Sequence, residues 1–151
     1  MPEISLRAAA PGDLPGLLRL YEELAGGRPS SLPAQADTAA HVFERILSDP
    51  RRTVVVAECG GHVVGSAEVL VAANLTHGGR PWALVENVVV ASGSRRLGVG
   101  SALLDHLAGI AREAGCYKIQ LMSRKERTEA HEFYLRVGFQ ATAEGFRSYF
   151  D

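Results

Sequence analysis

The sequence predicts a mixed α/β fold in a single domain covering residues 1–151, with a central mixed sheet of about seven strands and about four helices. Three observations predict it. Runs rich in Val, Ile and Thr alternate with segments whose apolar residues recur every three or four positions. Glycine- and proline-rich turns separate these segments. A length of 151 residues, with 46% hydrophobic and 22% charged residues, suits one ordinary globular domain.

Composition and residue patterns argue against several classes of protein. The net charge of −1 gives no basic field for nucleic acid or a membrane surface. We expect no signal peptide, no membrane span and a cytoplasmic location. Cys59 and Cys116 form no CxxC pattern, so two reduced, largely buried thiols are expected. The five histidines lack metal-ligand spacing, so no metal site is expected.

The first half of the chain predicts two helices packed against a hairpin. Its predicted elements are a strand at 4–7, helices at 13–24 and 37–47, and strands at 53–58 and 63–71. Asp13 is a natural residue to cap the first helix. The expected inward residues of the second helix are Val42, Phe43, Ile46 and Leu47. Gly60-Gly61 predicts a tight turn between the two strands.

The second half predicts a strand–helix–strand unit followed by a short helix and two terminal strands. Its predicted elements are strands at 83–90 and 117–122, helices at 98–114 and from 128, and strands at 139–143 and 146–150. The first two of these strands should run parallel, because a helix connects them. Thr128 can cap the last helix, and Gly138 suits its end. The expected inner face of that helix is Ala130, Phe133, Tyr134 and Val137.

A glycine-rich turn, Arg95-Arg96-Leu97-Gly98-Val99-Gly100, joins a predicted strand to a predicted helix. Helix-start amides and the helix dipole favour an anion there, and arginines add charge-assisted hydrogen bonds. A dinucleotide fingerprint would need a third glycine where Leu103 stands, and a Walker loop would need Gly-Lys-Ser/Thr. The turn therefore indicates another phosphate ligand, or a glycine turn that only packs helix on sheet.

Three segments, in the right order, resemble those of GNAT-superfamily N-acetyltransferases. They are Glu86-Asn87-Val88-Val89-Val90, Arg95-x-x-Gly98-x-Gly100 and Ala130-x-x-Phe133-Tyr134-x-x-x-Gly138-Phe139. The resemblance implies two splayed parallel central strands, acetyl-coenzyme A as acyl donor, an amine acceptor and no metal. It implies coenzyme contacts from Val88, Val89, Val90, Arg95, Arg96, Leu97, Gly98, Val99, Gly100, Ser101, Ala102, Arg127 and Phe133.

The same resemblance implies two catalytic residues. Glu86 stands where many members place a general base, and otherwise would contact the substrate's ammonium or lie on a strand end. Tyr134 matches the tyrosine that donates a proton to the departing thiolate, and otherwise is a core residue. Regular alternation would put Glu86 on the side of Val88 and Val90, but a bulge, usual in the family at this strand, would change its side.

The chain departs from the family pattern at Arg127, where many members have Asn. Arg124, Lys125 and Arg127 are expected either to meet a phosphate or to form a solvated loop, and His131 to be structural or exposed. The segment Glu86-Asn87-Val88-Val89-Val90, together with Gly115-Cys116-Tyr117-Lys118-Ile119, resembles glucosamine-phosphate N-acetyltransferases. The segment Ala130-His131-x-Phe133-Tyr134-Leu135-Arg136 resembles aminoalkylphosphonate N-acetyltransferases. A small amine is the favoured acceptor; the alternatives are a protein or peptide acetyltransferase and a non-catalytic acyl-coenzyme A sensor. A homodimer is also expected.

Overall fold

The structure is a computed structural model that describes residues 3–150. Within these residues, five strands and four α-helices form the main elements, and four short 3-10 helices lie in the connecting segments. The strands are β1 (Ile4–Ala8), β2 (Arg52–Cys59), β3 (His62–Ala72), β4 (Trp82–Val90) and β5 (Ile119–Gln120). The helices are α1 (Leu14–Ala25), α2 (Ala36–Ser48), α3 (Val99–Glu113) and α4 (Thr128–Arg136). The predicted mixed α/β class and the four helices are confirmed.

The five strands form one sheet in the order β1-β2-β3-β4-β5. The first four are antiparallel neighbours, and β4 and β5 are parallel, as the connecting helix α3 requires. Gly60 and Gly61 both have positive φ, 58° and 81°, which is the conformation of the two-residue hairpin turn expected between β2 and β3.

The prediction of about seven strands was wrong, because the chain end forms no strand within the described residues. Residues 140–150 lack regular structure, although Gly145 lies close to the segment that follows β5: a Cβ on Gly145 would lie 3.0 Å from the Met122 sulfur. A strand needs a ladder partner for its backbone groups, and alternating apolar residues alone do not supply one. Strand β5 is also shorter than predicted, with two residues instead of six.

The core lies on both faces of the sheet. One face packs under α3 and α4, through residues that include Val55, Ala67 and Val85 of the sheet and Leu103 and Leu107 of α3. The other face packs under α1 and α2. Its central residues are Leu17, Phe43, Val54 and Val56. Alternate residues of β2 thus serve opposite faces, because successive side chains of a strand point to opposite sides.

Three predictions about the helices were wrong in detail. Thr128 does not cap α4, because it is the first residue of that helix and no side-chain hydrogen bond caps the helix start. The Asp13 side chain does not cap α1; its carboxylate accepts the Ala10 N–H at 2.7 Å and both guanidinium nitrogens of Arg7 at 2.7 and 2.9 Å. The hydrogen bonds from Arg7 hold the pKa of Asp13 below its usual value. Val42 is 43% exposed, whereas Phe43 is 7% exposed, because the apolar stripe of α2 is narrower than its sequence suggests.

Candidate active site

A cleft of about 1740 Å³ opens where β4 and β5 separate. The two strands pair only through Ala83–Ile119 and Leu84–Gln120. Beyond these pairs, residues 85–90 form one wall of the cleft and residues 121–123 the facing wall. The turn before α3, helix α4 with its preceding loop, and α1 with its following loop close the sides. Two strands with unpaired facing edges leave main-chain donors and acceptors available to a ligand.

The glycine-rich turn folds into a concave backbone at one end of this cleft. Arg96 and Gly98 have positive φ, 66° and 82°, and α3 begins at Val99. Amides of the first helical turn have no partner within the helix, and left-handed residues in such a turn point successive amides to one side. Arg95 lies at the cleft wall and donates from Nε to the Val90 carbonyl oxygen at 3.2 Å. This end of the cleft suits a phosphate.

Eleven of the thirteen predicted coenzyme contacts line the cleft. They are Val88, Val89, Val90, Arg95, Arg96, Gly98, Val99, Gly100, Ser101, Arg127 and Phe133. Leu97 and Ala102 do not line it: Leu97 is half exposed, and the Ala102 amide is hydrogen-bonded to the Gly98 carbonyl. The structure therefore brings together the predicted contacts, apart from two neighbours of the glycines.

The glycine at position 100 has a packing role that the sequence did not reveal. A Cβ there would lie 3.0 Å from Cζ of Phe133, whereas a Cβ on Gly98 would meet nothing within 4 Å. Gly100 thus lets the ring of α4 approach the start of α3. Gly98 is instead required by its left-handed backbone. The two glycines of one motif serve different physical needs.

Glu86 lies on the wall of the cleft beside a bulge in β4. Glu86 pairs with Glu68 of β3, and Val89 pairs with Ser66. Two residues of β4 therefore lie between these pairs where β3 has one. Glu86 lies on the α1/α2 side of the sheet with Glu68, whereas Val88 and Val90 pack into the α3 side. The bulge that the family resemblance led us to expect is therefore present, and it places Glu86 on the face of the sheet opposite to that of Val88 and Val90.

The environment of Glu86 raises the pKa of its carboxyl. Burial is the larger cause, and the negative charge of Glu68 adds to it. Arg147 and Arg52 act in the opposite direction. A carboxylate with a raised pKa is a better proton acceptor near neutral pH.

Tyr134 reaches the cleft from α4, on the side opposite α1. It is 9% exposed, and its ring packs between those of Phe133 and Phe139 with centroid distances of 5.4 and 6.0 Å. Within residues 3–150 its hydroxyl has no protein hydrogen-bond partner, and it borders the cleft. Burial raises the pKa of Tyr134, and the nearby charge of Arg127 opposes that effect. Tyr134 thus packs in the core and also lines the cleft.

The cleft also contains residues that sequence reasoning missed. The buried Ser123 Oγ has no hydrogen-bond partner among the described residues and lies on the β5 wall. Arg147 comes from the chain end to the neighbourhood of Glu86. Tyr21 comes from α1, where burial and the charge of Glu68 raise its pKa to about 12. A single Ser, Arg or Tyr outside a motif carries no local signal, so only the tertiary structure identifies these three.

The basic loop before α4 is partly at the site. Arg124 and Arg127 line the cleft, whereas Lys125 is exposed outside it. His131 Nε2 lies 2.8 Å from the Arg124 carbonyl oxygen, so His131 contacts the loop backbone, in line with the structural role expected for it. In residues 3–150, no group of three or more His, Cys, Asp or Glu side chains could hold a metal ion. No helix of that same range is long and apolar enough to cross a bilayer.

The comparison with protein families matches residues 17–139 to the acetyltransferase (GNAT) family. Two curated relatives are similar over most of the chain. A glucosamine 6-phosphate N-acetyltransferase of Trypanosoma brucei brucei is 32% identical over 145 residues, which cover 92% of this chain and 90% of the relative. An aminoalkylphosphonate N-acetyltransferase of Salmonella typhimurium is 31% identical over 141 residues, with 93% and 87% covered.

A solved structure from Agrobacterium tumefaciens, described as that of an acetyltransferase, has the same fold. It superposes with a TM-score of 0.89 at 39% identity, over 96% of this chain and 99% of the other.

Proposed function

Because the chain belongs to the GNAT acetyltransferase family and is an acetyl-coenzyme A-dependent acyltransferase, we propose that its acceptor is the primary amine of a small molecule, which attacks the acetyl group directly while both substrates are bound. One observation carries the proposal. A single cleft is lined by the phosphate-binding turn, by both separated strands, by Glu86 and by Tyr134. Donor binding and proton transfer can therefore occur in one place.

The residues present fit acetyl-coenzyme A. The turn offers helix-start amides and two arginines for the pyrophosphate. The facing edges of residues 85–90 and 121–123 offer main-chain groups for the pantetheine amides, and the unpartnered Ser123 Oγ lies beside them. When bound, the coenzyme supplies an activated acetyl thioester. We propose that the main-chain amide of Val88, at the bulge, stabilises negative charge on the thioester carbonyl oxygen.

Glu86 is proposed as the base and Tyr134 as the acid. An ammonium group must lose a proton before its nitrogen can attack, and the Glu86 carboxylate can accept it directly or through water. The Tyr134 hydroxyl can donate a proton to the leaving sulfur. The positive charge of Arg127 favours that donation, because it stabilises the tyrosinate that remains.

The acceptor is proposed to approach Glu86 from a second, smaller pocket. This pocket has a volume of about 310 Å³, and Glu86 lines both it and the main cleft. Leu70 and Leu84 give it apolar walls, and Arg51 and Arg52 are paired with Asp49 and Glu68. The carboxylate of Glu86 is the charge left to attract an ammonium group. A pocket of this volume suits a small molecule better than a peptide.

The acceptors named for the two curated relatives, one bearing a phosphate and the other a phosphonate, suggest candidates for a first panel. Arg124, Arg127 and Arg147 line the main cleft and could contact a phosphate or phosphonate. The panel should therefore contain glucosamine 6-phosphate and an aminoalkylphosphonate, each beside its analogue without the anionic group. A preference for the anionic member of each pair would assign these arginines to the acceptor.

The proposal is tested by amine-dependent thiol release from acetyl-coenzyme A, with wild type and Tyr134→Phe. We expect turnover with at least one amine, and a kcat roughly 10²-fold lower for Tyr134→Phe because the proton donor is lost. Coenzyme A affinity, measured by calorimetry, should stay within about twofold of wild type. The exposed Tyr149→Phe is the matched control and should behave as wild type. No turnover with any amine, or an unchanged kcat in Tyr134→Phe, would contradict the proposal.

A cytoplasmic location and a homodimer remain proposals for the whole protein. The exposed aromatic residues Phe146, Tyr149 and Phe150 support a contact through the chain end.

A further inference from the structure

The bulge of β4 is held in an unusual backbone conformation. Asn87 has φ of 51°, in the left-handed region that residues other than glycine adopt infrequently. Neither Asn87 nor Val88 has a one-to-one partner on β3. Asn is among the residues that tolerate this region best, but the conformation is still less stable than an extended one. Something in the surrounding structure must therefore hold the bulge at this residue.

A chain of three side chains holds it. Asn87 donates from Nδ2 to Oε1 of Glu68 at 2.5 Å, and Arg52 donates from Nε to Oε2 of the same carboxylate at 2.5 Å. Glu68 is 3% exposed, so both of its oxygens are engaged in a nearly buried position. A buried carboxylate is costly unless it is paired and hydrogen-bonded, as this one is. The three residues span β2, β3 and β4.

We propose that Glu68 is a positioning residue for acetyl transfer: through Asn87 it holds the β4 bulge, so that the main chain of Val88 and the side chain of Glu86 keep their places in the cleft. Arg52, Glu68 and Asn87 are called the bulge clasp. The proposal rests on the proposed function. Glu68 itself is covered by its partners, and it acts through them.

The clasp fixes the position of the extra residue along β4. A bulge can move by one residue when nothing specifies its register, and each such shift changes the side to which the next side chains point. A shift toward Val85 would turn Glu86 to the other face. Displacement of reacting groups by about 1 Å can reduce a rate by as much as 10²-fold.

The clasp also carries charge next to Glu86. Glu68 and Glu86 are opposite each other in the ladder, and Arg52 and Arg147 are the cations that act on Glu86. The negative charge of Glu68 raises the pKa of Glu86. Loss of that charge should therefore lower the pKa of Glu86, whereas loss of the Asn87 hydrogen bond alone should leave the charge in place.

Two variants separate these effects. Asn87→Gly accepts the left-handed backbone without strain but loses the hydrogen bond. It should lower kcat about tenfold or more, with coenzyme A affinity within about twofold of wild type. Glu68→Gln keeps an acceptor for Asn87 but removes the charge. It should shift the acidic limb of the kcat profile to lower pH. Glu58→Gln, which removes a partly buried carboxylate paired with Arg7 on the same sheet, is the matched control and should change neither kcat nor the acidic limb.

Amide hydrogen exchange at residues 86–89 tests the clasp independently of catalysis. Exchange should be faster in Asn87→Gly than in wild type and unchanged in Glu58→Gln. The proposal is overturned if Asn87→Gly exchanges as wild type does, or if an active wild type and Asn87→Gly have equal kcat. If wild type transfers no acetyl group but the exchange difference is present, the clasp stands and the proposed function fails.

Discussion

The charge state of one residue, Glu86, should govern the pH dependence of the reaction. As a base Glu86 must be deprotonated, so kcat should rise with pH through its raised pKa. Glu86→Gln should lower kcat by roughly 10²-fold and abolish this acidic limb. Glu126→Gln, at the rim of the same cleft, is the control. An acidic limb that persists in Glu86→Gln would assign it to another group.

The raised pKa of Glu86 also makes the stability of the fold depend on pH. A carboxyl with a pKa raised by folding stabilises the fold at a pH below its unfolded value, about 4.3, and loses that contribution as pH rises through the folded pKa. Glu86→Gln should therefore melt at a higher temperature than wild type at pH 7. The difference should shrink near pH 4. A difference that does not depend on pH would show that charge is not the cause.

Residues with a local signal were predictable, and residues defined by their neighbours were not. Glu86 and Tyr134 stand in recognisable segments, and both line the cleft. Glu68 stands among alternating residues of an ordinary strand, and its sequence does not show that it is 3% exposed and engaged by two partners. Side chains joined across three strands depend on register, which a single strand's pattern does not contain.

At the scale of elements, the packing of α3 against α4 depends on Gly100. Alanine at an ordinary helical site stabilises by roughly 1 kcal/mol relative to glycine. At position 100 its Cβ would lie 3.0 Å from the Phe133 ring, so Gly100→Ala should instead destabilise by about 1–3 kcal/mol. Urea denaturation gives the free energy of unfolding.

The same helix supplies the control for this prediction. A Cβ on Gly109 of α3 would meet nothing within 4 Å, so Gly109→Ala should raise the free energy of unfolding. Phe133→Leu in the Gly100→Ala background should recover part of the loss, because the smaller side chain relieves the contact. Equal effects of alanine at positions 100 and 109 would show that the contact between the helices does not limit the packing.

Element boundaries were predictable where periodicity and turn residues agree. Strands β2 and β3 match their predictions to within one residue at each end, because Val-rich alternation is bounded by Gly60-Gly61. Strand β5 and the chain end were overpredicted. Their apolar residues alternate, but β5 separates from β4 after two pairs. The pattern of one segment contains no information on whether a partner strand lies beside it.

At the scale of the whole molecule, the exposed chain end predicts association. Phe146, Tyr149 and Phe150, close together in the sequence, are 86%, 69% and 99% exposed, which is unusual for aromatic residues. Light scattering after gel filtration should give about twice the 16.2 kDa chain mass. The double variant Phe146→Ser/Phe150→Ser should give the single mass. Leu75→Ser, at an apolar residue 97% exposed elsewhere, should remain dimeric. A monomeric wild type at micromolar concentration would refute the dimer.

The bulge in β4 reverses the order in which its side chains alternate between the two faces of the sheet. Before it, odd-numbered residues such as Ala83 and Val85 face α3; after it, even-numbered Val88 and Val90 do. Two consecutive residues, Glu86 and Asn87, consequently share a side, which a regular strand does not allow. The two faces of this nine-residue strand thereby carry different kinds of side chain. It places the Glu86 carboxylate and the Asn87 amide on the α1/α2 side, and presents an unbroken apolar row to α3, the helix that follows the glycine-rich turn.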